Sequence, residues 1–352
     1  MFIQSATKQY KVTIHSSFAP VNELVVDEKT FVVIDKNVYD LYHDQLFWNI
    51  PEKQLYILDA TEENKVLNTA LEICEIMTNI SAKRNSKLIS LGGGIVQDVT
   101  GFVANILYRG IHWTFFPTTL LASCDSCIGG KTSLNYKKFK NLLGTFYPPD
   151  RIEICTPFFK TLTERDFQSG LGEVVKFNVM RGEAGIRNME TYIGKLLERD
   201  DETLLTFVES SLAFKKAFIE QDEFDRGVRI QLNYAHTFGH AFESMSKYAI
   251  PHGTAVAMGT IVANRISVAR GWIKEQTELR IENVLYQIIH IDKQDIAVSM
   301  DDIISAIRKD KKQTSSSLTA VLMKGEDLKL EIVHDVEPRE IEAAVNYLFE
   351  HI

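Results

Sequence analysis

Glu173 in Gly170-Leu-Gly-Glu-Val-Val-Lys176, His236 and His240 in His236-Thr-Phe-Gly-His240, and His252 in Pro251-His-Gly253 are the side chains best suited to holding a divalent ion. A carboxylate with imidazoles suits a zinc-type metal, and a three-ligand set leaves one position open to water or substrate. A histidine pair at i, i+4 can converge on one ion. Read as one helix at about 100° per residue, Arg229, Asn233, His236 and His240 fall within roughly 60° of one face. Leu232, Phe238, Ala241 and Phe242 border that stripe, whereas solvated faces elsewhere are built from Lys, Glu and Asp. The pattern reads as a catalytic metal centre, not a polar surface.

A second region that could do chemistry runs from Ile89 to Pro148. The apolar run 87–91 ends in Gly92-Gly93-Gly94, and Asp98, Thr100 and Gly101 then lead into the apolar 102–107. That order predicts strand, glycine turn and helix, where backbone amides and a helix N-terminus can approach a phosphate. The Gly-x-Gly-x-x-Gly spacing of a Rossmann turn is absent. Downstream stand Phe116-Pro-Thr-Thr-Leu120, Asp125, Gly129-Gly-Lys-Thr132, Lys140-Asn141 and Tyr147-Pro-Pro149. Gly129 to Thr132 imitates the end of a P-loop, but Asp125 occupies the place of its upstream glycine, which argues against an NTPase. Lys131, with Arg109, Lys140 and Asn141, reads as a set of contacts to an anion or hydroxyls.

The elements that must carry these groups divide near residue 160. Before it, strand-like runs at 12–15, 30–34, 54–58, 88–91, 113–116 and 151–155 alternate with helical stretches such as 65–80. After it, amphipathic patterns predict helices at 164–180, 201–221, 230–246, 254–269 and 277–289, and 318–323 is strand-like. The expected fold class is α/β: an N-terminal α/β nucleotide-binding lobe (1–160) and a mainly helical C-terminal lobe (161–352) that binds metal and substrate. No Pro/Gly/Ser-rich linker separates them, so one unit with the site between the lobes is expected.

Composition bounds the function. The chain has 352 residues, 45% hydrophobic and 24% charged, which is ordinary globular usage. A net charge of -8 argues against a nucleic-acid partner. No apolar run reaches the roughly 18 residues of a membrane span, and no secretory signal is evident, so a cytoplasmic enzyme without a membrane partner is expected. Cys74, Cys124, Cys127 and Cys155 are too few and scattered for a disulfide framework. The Cys124-Asp-Ser-Cys127 spacing reads as two small buried residues.

Between Asp35 and Lys312 the chain resembles the 3-dehydroquinate synthases, within the sugar phosphate cyclases. The resemblance rests on Asp35-Lys-Asn37, Glu62-Glu-Asn-Lys65, the glycine triplet with Asp98, Tyr108-Arg-Gly110, Pro117-Thr-Thr-Leu120, Gly129 to Thr132, Lys140-Asn141, Gly172-Glu-Val-Val-Lys176, Lys215, Arg229, Asn233, His236 to His240, Pro251-His-Gly253 and Asp310-Lys-Lys312. It implies Glu173, His236 and His252 as ligands of Zn2+, or of Co2+ or another divalent metal. It implies NAD contacts at Asp35, Asn37, Glu62, Lys65, Gly93, Gly94, Asp98, Thr118, Thr119, Lys140, Phe158 and Thr161. The substrate's polar cage would be Arg109, Asp125, Lys131, Asn141, Lys176, Lys215, Arg229, Asn233, His240 and Lys311. Catalytic roles would fall to His240, Asp225, Lys131, Lys176, Arg229 and Asn233.

The implied reaction converts 3-deoxy-arabino-heptulosonate 7-phosphate to 3-dehydroquinate and phosphate, through transient oxidation, β-elimination, reduction and intramolecular aldol closure. The implied assembly is a homodimer in which Arg109 is lent to the neighbour. Several positions depart from the family's pattern: Gln97 and Ala235 stand where Gly is usual, Gly172 where Ala is usual, Thr254 where an acid is frequent, and Asp225 where Glu is usual. Three alternatives remain: a cyclase acting on sedoheptulose 7-phosphate or a related sugar phosphate, a metal-dependent polyol or glycerol dehydrogenase, and a non-catalytic nucleotide-binding relative. The phosphate contacts Lys131, Asn141 and Arg109 argue against the dehydrogenase. The three metal ligands argue against the non-catalytic relative.

Overall fold

The computed structural model describes residues 1–80, 82–137, 139–291, 300–308 and 318–352. Lys311 with its Asp310-Lys-Lys312 motif lies outside the described residues, as does the polar run 314–317, whose composition predicts a loop, with a lid over phosphate as the alternative. The chain divides into two compact units, Met1–Leu162 with Leu204–Phe224, and Thr163–Thr203 with Asp225–Ile352.

The first unit is built on a seven-stranded sheet. Its strands are β1 (Phe2–Ile3), β2 (Tyr10–His15), β3 (Thr30–Asp35), β4 (Leu55–Leu58), β5 (Lys87–Gly92), β6 (His112–Pro117) and, after a hairpin of β7 (Lys131–Tyr136) and β8 (Phe139–Phe146), β9 (Arg151–Cys155). The order is β1-β2-β9-β6-β5-β3-β4, and every pair except β1–β2 is parallel. Parallel strands need crossovers, supplied here by α2 (Lys36–Tyr42), α3 (Leu67–Asn79) and α4 (Gly94–Ile106), while α1 (Ala19–Asn22) follows β2. Strands covered on both faces must be apolar throughout, and Phe31, Val32, Val33 and Ile34 of β3 are all buried. Chain order reverses between β3 and β5, where open α/β sheets bind ligands at the strands' carboxyl ends. The ladder sets Ile34 beside Leu91 and Gly92 beside Pro117, so Asp35, the glycine triplet and Thr118 emerge together at that edge.

The second unit is mainly helical, as the amphipathic patterns predict. It contains α5 (Glu164–Val179), α6 (Glu183–Leu197), α8 (His236–Met245), α9 (His252–Ala269), α10 (Glu275–Leu285), α11 (Met300–Arg308) and α12 (Pro338–His351), with one antiparallel hairpin of β10 (Leu318–Lys324) and β11 (Lys329–Val336). The helix α7 (Asp201–Gln221) belongs mostly to the first unit. Helices α5 and α9 are the core: every residue from Phe167 to Val179 is buried, which explains an α5 pattern apolar on more than one face. The single helix expected over 230–246 does not form. Residues Val228–Asn233 make a 3-10 turn, Tyr234 is extended, Ala235 adopts a left-handed conformation at φ 71°, and α8 begins only at His236. Arg229 and Asn233 therefore do not share a helix face with His236 and His240.

Candidate metal centre and nucleotide-site residues

The second unit gathers Glu173 from the middle of α5, His236 from the first turn of α8 and His252 from the first turn of α9. Thr163 caps α5 by accepting the Asp166 N–H at 3.1 Å, and Glu164 and Asp166 complement its first turn. At the start of α9, the Ser169 hydroxyl accepts the Gly253 N–H at 3.1 Å, satisfying a donor that a helix leaves unpaired. Gly253 and Gly172 let the two backbones touch: a Cβ on Gly253 would lie 1.7 Å from the Ser169 carbonyl oxygen, and one on Gly172 2.1 Å from that of Gly253. This explains the departure at position 172, where a side chain has no room.

Glu173 is fully buried, with Oε1 3.2 Å from His252 Nε2 and 3.4 Å from His236 Nε2. Bond lengths of about 2.0–2.1 Å to zinc place neighbouring ligand atoms of a tetrahedron roughly 3.3–3.4 Å apart. The observed separations fit that edge, and the donor set of one carboxylate and two imidazoles fits the metal. The His236 Nδ1 lies 3.1 Å from the Tyr234 carbonyl, which takes the Nδ1 proton and leaves Nε2 free to coordinate. His240 lies beside them, its ring centroid 5.3 Å from that of His236 and 6.1 Å from that of His252.

Charges in this pocket are tightly coupled. Burial alone would raise the Glu173 carboxyl, but the Lys176 ammonium 2.6 Å away and the two imidazoles hold it well below the usual carboxylate range. Burial and the Lys176 charge push His236 down to about 3. Burial also opposes charge on His252, yet Glu243 and Glu173 raise it to about 10. Lys176, almost fully buried, donates to the Leu232 carbonyl at 3.1 Å as well, so its visible work is to keep Glu173 anionic. Arg229 is buried on the 3-10 turn that also carries Asn233, and Asp225 sits upstream with a left-handed backbone at φ 60°.

In the first unit, four of the residues expected to contact NAD, Glu62, Lys65, Asp98 and Lys140, are linked by ion pairs and hydrogen bonds that run through Asn135 and Asn141. Asp35 caps α2 by accepting the Asn37 N–H at 2.8 Å. Gly93 opens α4 so close to the next loop that a Cβ there would lie 3.0 Å from Thr119 Cγ2, and Thr118 N–H donates to the Gly92 carbonyl at 3.0 Å. Gly94 is the first residue of α4. Asp98 pairs with Lys65 and accepts from the Ser133 N–H and hydroxyl at 3.0 and 2.9 Å. Burial raises its carboxyl against those contacts. Lys65 also donates to Asn141 Oδ1 at 2.7 Å, and Lys140 pairs with Glu62 at 3.1 Å. Phe158 differs in kind: it is 2% exposed in the apolar core, edge-on to Phe18 and Tyr42, while Thr161 meets the Tyr42 hydroxyl at 2.8 Å.

Of the groups expected to grip substrate, Lys215 on α7 pairs with Asp125 at 2.9 Å and donates to its carbonyl at 2.7 Å. Lys131 is exposed at the start of β7, behind Gly129 and Gly130 at φ 99° and 65°. Arg109 is exposed on a left-handed turn with Tyr108. Sequence reasoning missed three supporting residues. Asn135 donates to Glu62 Oε2 at 2.7 Å and accepts the Asn141 N–H at 3.0 Å, tying two segments of the network together. Ser126 exchanges hydrogen bonds of 2.7 Å with Gln97, which gives the departure at 97 a structural partner. Glu243 lies 3.0 Å from His252 Nδ1, and its position seven residues after His236 on α8 was the available signal.

Comparison with known proteins agrees with this arrangement. Residues 55–169 match the family model described as 3-dehydroquinate synthase N-terminal, and residues 170–313 match 3-dehydroquinate synthase C-terminal. A 3-dehydroquinate synthase of Clostridium tetani is 36% identical over 349 residues, 96% of this chain and 90% of that protein. One from Dictyoglomus turgidum is 34% identical over 313 residues, covering 89% of this chain and 87% of the relative. The solved structure of a 2-epi-5-epi-valiolone synthase from Streptomyces hygroscopicus, with NAD+ and Zn2+ bound, superposes with a TM-score of 0.85 at 24% identity over 99% of both chains, a likeness of fold. The chain is a member of the 3-dehydroquinate synthase family.

Proposed function

We propose that this protein is a 3-dehydroquinate synthase: a carbon–oxygen lyase that uses NAD and a divalent metal, preferably zinc, to convert 3-deoxy-arabino-heptulosonate 7-phosphate to 3-dehydroquinate and phosphate. The observation that carries the reading is the convergence of Glu173, His236 and His252 at ligand-to-ligand spacing in a chain 36% identical to a named 3-dehydroquinate synthase. Residues 1–160 would form the NAD-binding domain and 161–352 the metal- and substrate-binding domain. We further propose a cytoplasmic homodimer serving the shikimate route to aromatic amino acids, in which each chain lends Arg109 to its neighbour.

When bound, the metal would supply a Lewis acid for adjacent substrate hydroxyls and NAD a reversible hydride acceptor, with no net redox change. The chain's own groups do the rest. Lys176 keeps Glu173 anionic and the Tyr234 carbonyl keeps His236 Nε2 available for coordination. Arg229 would pair with the substrate carboxylate through its planar fork, with Asn233 and Lys215 on ring hydroxyls. Lys131, Asn141, Arg109 and Lys311 would hold the phosphate. His240 would exchange a proton with the substrate hydroxyls, and Asp225 would accept a second proton.

The test is release of inorganic phosphate from a panel of seven-carbon sugar phosphates with NAD and zinc present. The carboxylate-bearing heptulosonate phosphate should be the best substrate. Faster turnover of sedoheptulose 7-phosphate would make the protein a different sugar phosphate cyclase, and NADH accumulating with substrate consumed would make it a dehydrogenase.

A further inference from the structure

Two candidate metal groups overlap at one ring. Glu173, His236 and His252 form the first, and His240, Glu243 and His252 the second. An imidazole has two nitrogens on different edges, so one ion can use only one of them. Both edges of His252 are occupied: Nε2 lies 3.2 Å from Glu173 Oε1, and Nδ1 lies 3.0 Å from Glu243 Oε2.

His236 shows which edge belongs to the ion. Its Nε2 also faces Glu173 Oε1, and its Nδ1 is spent on the Tyr234 carbonyl. The two rings therefore present the same nitrogen to the same buried carboxylate, and each turns Nδ1 toward an oxygen acceptor. The Glu243 contact lies in the middle of the ordinary hydrogen-bond range of about 2.7–3.2 Å.

We infer that Glu243 is a positioning residue for the metal centre: its carboxylate accepts the Nδ1–H of His252, fixing the ring's tautomer and plane so that Nε2 faces the ion, and it is not itself a ligand. The inference rests on the Glu173–His236–His252 reading. The helix supplies the geometry. Glu243 follows His236 by seven residues on α8, which places both on one face about 10.5 Å apart along the axis. One rigid segment thus carries a ligand at its first turn and the support for another ligand two turns later. A carboxylate in this place also makes the imidazole a stronger donor to the metal.

The experiment compares Glu243→Gln and Glu243→Ala with the unaltered protein. Zinc transfer to a chelator is measured first, and the proton spectrum of the Co2+-loaded protein second. Gln should still bind one equivalent of metal but release it roughly 10-fold faster, and Ala closer to 100-fold faster. In water the Co2+ protein should give two strongly shifted signals that vanish in heavy water, the Nδ1–H protons of His236 and His252. Only the His252 signal should move in Glu243→Gln, because the Tyr234 carbonyl is untouched; damage to the fold would move both. Release rates and both signals unchanged in Gln would overturn the inference while leaving the ligand set standing. Loss of all metal in Glu243→Gln, with retention in Glu173→Gln, would overturn the ligand set itself. Should Gln fail to fold, Glu243→Asp, which withdraws the charge by one methylene, is read by the same criteria.

Discussion

Replacing Gly253 with Ala separates helix propensity from the packing that builds the metal centre. Gly253 is the second residue of α9, and on propensity alone Ala would stabilise the helix by up to about 1 kcal/mol. The structure predicts the reverse. The added Cβ would lie 1.7 Å from the Ser169 carbonyl oxygen and 2.5 Å from its carbon. An ordinary carbon–oxygen contact is about 3.3 Å or more, so α5 and α9 must part by roughly 1.5 Å. Both partners are backbone in buried helices, which puts the cost at the upper end of overpacking, about 2–3 kcal/mol. That corresponds to a fall in melting temperature of roughly 4–12 °C for a unit of this size. Because α5 carries Glu173 and His252 directly precedes Gly253, the same separation moves a ligand by more than the roughly 0.2 Å a metal site tolerates. Zinc affinity should drop by more than the roughly 10- to 100-fold that loss of a ligand's supporting hydrogen bond costs. Ser169→Ala, which removes only the cap to the Gly253 N–H, should cost about 1 kcal/mol and leave zinc stoichiometric. The assay is thermal unfolding with and without zinc, alongside chelator competition. A Gly253→Ala protein that melts within about 1 °C of the parent and holds zinc equally well would refute the argument.

Three other outcomes are expected. Glu278 on α10 is fully buried, and burial, then its neighbour Glu282, push its carboxyl up to about 10 against the pull of Arg265. A group raised in the folded state carries its proton there and releases it on unfolding, so stability should fall as pH rises from the unfolded value near 4.5 toward 10. Glu278→Gln should therefore gain on the parent by up to about 1.4 kcal/mol per pH unit in that window, read by denaturant unfolding at several pH values, and parallel curves would contradict it. His252→Ala should lose zinc, measured by metal analysis, and phosphate release together while its circular dichroism stays native; stoichiometric zinc in that protein would remove His252 from the ligand set. Arg229→Ala should erase most of a preference, roughly 30-fold or greater, for the carboxylate-bearing substrate over sedoheptulose 7-phosphate, measured as kcat/KM.

Much of the fold was legible because local periodicity reports burial directly. The strands at 12–15, 30–34 and 151–155 and the helix at 201–221 emerge within a few residues of their expected ends. The metal-type side chains were legible by chemical type, and the structure brings Glu173, His236 and His252 to one point. Less visible was whatever depends on non-local contact. The helix expected through 230–246 breaks at Ala235, whose left-handed backbone no propensity scale assigns to Ala. The hairpin of β7 and β8, which carries Lys131 and Asn141, was not among the strands expected from the sequence. Phe158, which the resemblance puts among the NAD contacts, packs edge-on to Phe18 and Tyr42, a cluster that no local pattern announces. Asn135 gained meaning only once Glu62, distant in sequence, and Asn141 were in place beside it.

The central claim is that hydride is borrowed and returned while phosphate is eliminated. Its most direct test is to follow phosphate, NADH and carbocyclic product together in one reaction containing the protein, zinc, catalytic NAD and 3-deoxy-arabino-heptulosonate 7-phosphate. Phosphate and product should rise in equal amounts, many-fold above the NAD supplied, with no net growth of NADH absorbance. NADH rising in step with substrate consumed, or no phosphate at all, would contradict it.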